Sequence, residues 1–406
     1  MIRHYLKLIW NRKRSNLLIM VEIFLSFLVT FAVVALGLHG ANNYRQPLGY
    51  EWQDVWNVRM DMKVGMSGEP GNTMPPELIE TARAVVAAVR ELPEVVAVGS
   101  AACPPYGFSS WNSSSDFGKW KLRYGLNPVT DGFADAMRLE LTAGRWFNAG
   151  DDGAAWVPVV INERMAREIF GGRDAVGNSV PQEKNTDGTV DPEMRIVGVA
   201  RDFRQDGEFA SPQNYLFRRQ RLDDDRRPPP DNLLVRLQSG TTAAFEERLM
   251  ARLQAAAPEW SFEVSPLEKL RETRFAMVLG PLTGAGVIAG FLLLMVGMGL
   301  TGVLWQTVTQ RTREIGLRRA KGATTRDIRT QIVGELVVMT SMAVVAGAAV
   351  LVQFPLLDVI GLIDKGVYAA SLVVSAVCIY LLTMACAWYP SRMATTVSPA
   401  EALHYE

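Results

Sequence analysis

Histidine and cysteine are scarce in this 406-residue chain, and their scarcity removes most side-chain chemistry at once. The three histidines are His4, His39 and His404, so residues 40–276 contain none. A Ser–His or Cys–His nucleophile would have no base there, and an enzyme in that region is not expected. Of three cysteines only Cys103 lies outside the C-terminal hydrophobic region, which rules out a disulfide framework. No HExxH or CxxC occurs, and no GxxxxGK[ST] phosphate loop, so neither the usual zinc sites nor that route of nucleotide hydrolysis is available. No cofactor is expected. Net charge is missing too: 42 Lys+Arg balance 42 Asp+Glu, whereas a nucleic-acid binder needs a basic excess. The aspartates in 223–231 (DDDRRPPPD) lack EF-hand spacing and read as a solvated loop. The adjacent acids Asp151 and Asp152 also read as solvated.

What the chain does have is hydrophobic length. Four stretches, 17–38, 277–304, 332–357 and 367–389, reach the roughly 20 residues needed to cross a bilayer. Flanking charge orients them. Arg3, Lys7, Arg12, Lys13 and Arg14 precede the first. Arg311, Arg313, Arg318, Arg319, Lys321, Arg326 and Arg329 separate the second from the third. The short loop 358–366 carries Lys365 against Asp358 and Asp364. Residues 1–16, 305–331 and 390–406 are therefore expected in the cytoplasm, and 39–276 outside, where 28 basic residues meet 34 acidic ones. The neutral average hides a basic inside and an acidic outside. Glu22 and Glu335 sit in spans, within about two turns of the cytoplasmic end, where headgroups or arginines can reach them. Gly280, Gly284, Gly286 and Gly290 give the second span small-xxx-small spacings suited to close helix packing, against a second copy or a sister subunit.

The external segment alternates between strand and helix patterns. Residues 55–62 (VWNVRMDM) and 95–101 read as strands around a helix over 76–92, started by Pro75–Pro76 and stopped by Pro93. A second such unit runs as strand 232–238, helix 242–256 and strand 261–264. Together they suggest one discontinuous α+β subdomain interrupted by a second over about 104–231. Within the interruption, 157–161 and 195–200 read as strands, with a helix over 162–170 ended by Gly171 and Gly172.

Functional information concentrates in 310–335 (QRTREIGLRRAKGATTRDIRTQIVGE). Gly322 suits a left-handed helix end, and Thr324 with Asp327 forms a capping-box start for the helix entering span three. Residues 313–325 (REIGLRRAKGATT) resemble the cytoplasmic loop of the FtsX-like permeases of the MacB-type ABC transporter family. The tail 389–406 (YPSRMATTVSPAEALHYE) is similar to that family's C-terminal signature. In the external segment, 137–147 (MRLELTAGRWF), 159–170 (VVINERMAREIF), 174–179 (DAVGNS) and 196–204 (IVGVARDFR) resemble the family's periplasmic core.

The resemblance implies a four-span membrane protein with a large α+β extracytoplasmic domain, a porter-like part with an inserted subdomain, in the bacterial inner membrane. It implies a non-catalytic permease subunit whose ATPase is a separate partner, since only 16 residues precede the first span. The ATPase would dock on a coupling helix matched here by Arg313, Glu314, Ile315, Gly316, Leu317, Arg318, Arg319, Lys321 and Gly322. Ile315 and Leu317 offer apolar anchors but lie two apart, so they do not share one helix face. Further implied partners are a second or related permease copy, membrane lipids and a periplasmic adaptor. ATP-driven closure would move a helical stalk, into which 267–276 extends span two, and reshape the external domain to export or extract a substrate. A transmembrane signalling or scaffold subunit, passing ATPase state to an external enzyme or sensor, shares this architecture and stays open. Drug or peptide efflux, lipoprotein release, peptide sensing and cell division are the family's branches, and no residue selects one.

Overall fold

The computed structural model describes residues 13–62, 74–116, 121–181, 192–310, 317–318, 320–356 and 364–393. The chain forms two compact units, residues 43–277 and the remainder.

In the second of these, four described helices are long and apolar enough to cross a membrane. They are α1 (Lys13–Tyr44), α6 (Leu267–Gln310), α7 (Thr325–Leu356) and α8 (Lys365–Met393), each overrunning its apolar stretch. Their shared core is built on one stripe of each helix, as in Ile19, Ile23, Phe27, Phe31 and Ala35 of α1, spaced by four. Large side chains such as Val287, Ile288 and Phe291 remain exposed, as expected where lipid or another helix replaces water. Of the buried hydroxyls, those of Ser371 and Ser375 each donate to the carbonyl four residues back at 2.7 Å, whereas those of Thr30 and Thr340 have no hydrogen-bond partner among the described residues.

The other unit is a sheet with helices. Its strands are β1 (Val55–Asp61), β2 (Val95–Ala101), β3 (Trp111–Asp116), β4 (Lys121–Val129), β5 (Leu141–Gly144) and β6 (Val157–Asn162). β7 (Ser179–Val180), β8 (Met194–Ala200), β9 (Tyr215–Arg219), β10 (Asn232–Leu237) and β11 (Ser261–Pro266) follow. The helices between them are α2 (Pro76–Arg90), α3 (Phe133–Met137), α4 (Glu163–Phe170) and α5 (Ala244–Ala256). The strand order is β11-β1-β10-β2-β4-β9-β6-β8-β5, with β3 beside β4 and β7 beside β8.

The interruption in the sequence is thus an extension of the same sheet. β11, β1, β10 and β2 make an antiparallel half, covered by α2 and α5 over Val58, Val98, Leu233 and Val235. β4, β9, β6 and β8 make the other half, with Val159, Ile161 and Leu216 over Met165 of α4. An aromatic core of Tyr50, Tyr106, Phe133, Phe147, Phe203, Tyr215 and Phe217 includes residues from both halves, together with Leu234. Because side chains alternate along a strand, Leu233 and Val235 face one layer and Leu234 the other, so β10 is buried throughout. Between the halves the ladder is thin: β2 and β4 share one bridging pair, Ala101 with Val129.

The helix ends follow the sequence. Asn162 caps α4 by accepting from the Met165 amide at 3.1 Å, and Gly171 closes it at φ +60°. Two polar readings are corrected. Asp151 is buried and held bidentately by Arg145 at 2.5 and 2.8 Å, so it is not a solvated acid, while Asp152 stays exposed and pairs with Arg219 at 2.8 Å. The Arg145 guanidinium beside Asp151 holds that carboxyl below its ordinary pKa. In the loop after β9, Asp223 is half-buried and pairs with Arg221 at 2.6 Å and with Arg83 of α2 at 2.7 Å.

Candidate functional site

The loop between α6 and α7 is the first candidate. Arg313, Glu314, Ile315, Gly316 and Arg319 lie outside the described residues. Leu317 and Arg318 are helical, Leu317 is half-exposed, and Lys321 and Gly322 form the turn that follows. Gly322 sits at φ +98°, a conformation that costs any residue with a Cβ, and the Ala323 amide donates back to the Arg318 carbonyl at 3.0 Å. The next helix starts on the expected reciprocal cap. The Thr324 amide donates to Asp327 Oδ2 at 2.9 Å, and the Asp327 amide to Thr324 Oγ1 at 3.3 Å. Arg318 Nη1 donates to Gln331 Oε1, and Gln331 Nε2 to Glu335 Oε1 at 3.3 Å. The intramembrane acid Glu335 therefore belongs to a polar chain reaching the loop. The other, Glu22, lies against Gly299, where a Cβ would meet its Oε1 at 2.7 Å.

The packing glycines Gly280, Gly284, Gly286 and Gly290 lie on α6, and a Cβ built at any of them meets nothing within 4 Å. Nothing described within the chain requires glycine at these positions. Among the described residues no group of three His, Cys, Asp or Glu side chains could hold a metal.

The external unit holds a site that composition alone did not reveal. Arg204, the last residue of the IVGVARDFR segment, is 2% exposed. Its Nη1 donates to the carbonyls of Asn43 at 2.8 Å and Gln46 at 3.0 Å, and its Nη2 to those of Glu208 and, at 2.6 Å, Ala210. Backbone carbonyls accept all of these guanidinium hydrogen bonds, with the Glu208 carboxylate nearby, and burial lowers its pKa. Beside it Glu208 Oε1 accepts from Arg271 Nε at 2.6 Å and from Tyr106 Oη at 3.3 Å. The Arg271 guanidinium lies 4.6 Å from the Trp52 ring centroid and 4.3 Å from that of Phe275. Arg274 Nε donates to the Tyr106 carbonyl at 3.1 Å, and its Nη2 reaches Asp206 Oδ1 at 3.1 Å. Tyr44, Phe209 and Phe275 close the cluster, with ring centroids 5.0 to 6.2 Å apart. Burial raises the Tyr50 and Tyr106 phenol pKa values, which keeps both rings neutral.

The arrangement ties residues 43–50, 203–210 and 271–275 into one polar knot. The outer two segments continue in the chain into α1 and α6.

A family model for the MacB-like periplasmic core domain matches residues 17–252, and one for the FtsX-like permease C-terminal region matches 286–399. The chain belongs to the MacB/FtsX-like permease family. Two relatives illustrate its range. A Bacillus subtilis protein named uncharacterized ABC transporter permease YknZ is 26% identical over 289 residues, 69% of this chain and 70% of that one. The macrolide export ATP-binding/permease protein MacB of Bdellovibrio bacteriovorus is 27% identical over 284 residues, 65% of this chain but 41% of the relative. This chain therefore spans less than half the length of such ATP-binding/permease relatives. The crystal structure of the periplasmic region of MacB from Actinobacillus actinomycetemcomitans overlaps 55% of this chain and 94% of its own, at 14% identity and a TM-score of 0.37. Among its described residues this chain has four apolar helices of membrane-crossing length plus a large sheet-rich domain between the first two.

Proposed function

We propose that this chain is the permease subunit of a MacB/FtsX-type ABC system whose ATP hydrolysis is performed by a separate subunit. The observation that carries the reading is the order of parts: a core-domain match that takes in the first membrane-length helix and ends before the second, then an FtsX-type region holding the basic loop. Basic flanks on residues 1–16 and 305–331, with an acid-rich 39–276, support cytoplasmic termini and an external core domain. The ATPase docks on residues 313–322, where arginines can pair with acidic groups and the Gly322 turn fixes the break between helices. Two permease copies, or this chain and a sister, associate through the glycine face of α6. Closure of the ATPase pair shifts α1 and α6, and the Arg204–Glu208–Arg271 knot carries that shift into the external sheet. Work on the substrate is then done outside the membrane.

The test is co-purification. The double variant Arg318→Glu/Arg319→Glu is expected to insert normally and to lose its cognate ATPase. Undiminished association of the ATPase with the variant overturns the docking assignment. Reporter fusions at residues 150 and 320 should read external and cytoplasmic respectively; the reverse result refutes the orientation.

A further inference from the structure

The thin junction in the external sheet leaves a cleft. β2 and β4 share one bridging pair, Ala101 with Val129, and residues 95–98 of β2 line a cavity of about 720 Å³. The closed end is tight: a Cβ on Gly99 would lie 2.4 Å from the Phe133 amide nitrogen, and one on Gly132 2.2 Å from the Val98 carbonyl. Beyond that point α3, the residues after it and the end of α2 form the walls.

Three arginines line this cleft, Arg90, Arg138 and Arg236, against one lining acid, Asp135. Arg236 is 3% exposed, and its guanidinium donates to the carbonyls of Ala136 at 2.7 Å, Glu51 at 2.8 Å and Gln53 at 3.1 Å. The Glu51 carboxylate stands 3.9 Å from Arg236 and is shared with Arg138, which it meets at 2.6 Å. Two guanidinium groups thus draw on one half-exposed carboxylate, and Arg138 is held there at φ +49°, an unusual conformation for a residue with a side chain. Among the described residues, Arg90 makes a single hydrogen bond, a 3.5 Å contact to the Val98 carbonyl. Burial, with Arg138 nearby, lowers the pKa of Arg236, in accord with an excess of positive charge. The remaining lining is apolar: Val96 is 58% exposed and Leu141 36%. Trp146 completes it, and its buried Nε1 has no hydrogen-bond partner among the described residues.

We propose that this cleft binds an organic carboxylate with an apolar body, its anion held by Arg90 and Arg138 and its ring or chain against Val96, Leu141 and Trp146. The site stands independently of ATPase docking, since all its residues belong to the external unit.

The experiment is calorimetric titration of the full chain in lipid nanodiscs with 2-naphthoate, its neutral isostere 2-naphthamide, and empty nanodiscs as control. Saturable one-site binding of naphthoate is expected, with naphthamide at least tenfold weaker. Arg90→Gln and Arg138→Gln should each weaken naphthoate at least tenfold, and Arg138→Lys should recover most of that loss. Arg90 lies at the exposed end of α2, so its variant keeps the test sound if the Arg138 variant fails to fold. Equal binding of acid and amide, heat matching empty nanodiscs, or wild-type affinity in a folded Arg90→Gln protein would each overturn the proposal.

Discussion

Replacing Arg204 by methionine keeps most of the buried volume and deletes the charge. Four backbone carbonyls then lose their donor, and those of Asn43 and Glu208 belong to residues only 2% and 6% exposed. A buried acceptor left unsatisfied costs about 1–3 kcal/mol, while the half-buried Gln46 and Ala210 carbonyls can recover water. Taking the two buried acceptors fully and the others at a fraction gives roughly 3–5 kcal/mol, the range found when a buried charge network loses one member. The loss should be local, because the strands of β10 and β6 do not depend on it. Hydrogen exchange read by mass spectrometry in detergent is the assay. Amides in 43–50 and 204–210 should lose protection by roughly a hundredfold or more, as about 3 kcal/mol implies, while β10 keeps its rate. A change below threefold around residue 43, in a folded Arg204→Met protein, refutes the knot as the link between these segments.

Further outcomes follow from the same geometry. Gly322→Val, at φ +98°, and Thr324→Ala, which removes a reciprocal cap, should each cost about 1 kcal/mol and weaken ATPase co-purification; wild-type retention of the ATPase in both would count against the turn. Gly284→Leu should abolish crosslinking between α6 helices without changing the monomer's melting temperature, since a Cβ there meets nothing within 4 Å. Persistent crosslinking would remove that face from the interface. The Asp151 carboxyl lies below its ordinary pKa of 3.8 in the folded state, so its pair with Arg145 contributes fully above that value and fades as pH falls through the lowered one. Asp151→Asn should therefore be less stable than the parent at pH 7 and converge on it in strong acid; a constant gap at all pH values would contradict the assignment.

The membrane helices were legible because a bilayer imposes length and polarity together, and no soluble core mimics four such runs. β6, β8 and β10 were legible for the related reason that buried strands need apolar runs such as VPVVI. β3 (WNSSSD) and β4 (KLRYGLNPV) were not, since serines, glycine and proline there suggest loop, and only pairing with each other and with the distant β9 makes them strands. That pairing is parallel across about 90 residues, a register no local pattern encodes. Polar residues misled in the same way. Asp151 looks solvated until Arg145 folds back to pair with it. Arg204 sat inside a family-like segment, but an arginine reads as surface until the carbonyls of residues 43 and 46, far away in sequence, turn toward it. The loop motif fared better, because a capping box spans only four residues.

The account's central claim is that a partner ATPase drives the external domain through this knot. A spin label at position 246, on the exposed side of α5, would report the distance between two copies in nanodiscs with the cognate ATPase. On adding ATP and vanadate, the distance distribution should shift in the parent chain and stay fixed in Arg204→Met, with the ATPase bound in both. No shift in the parent, or the same shift in the variant, would contradict the account.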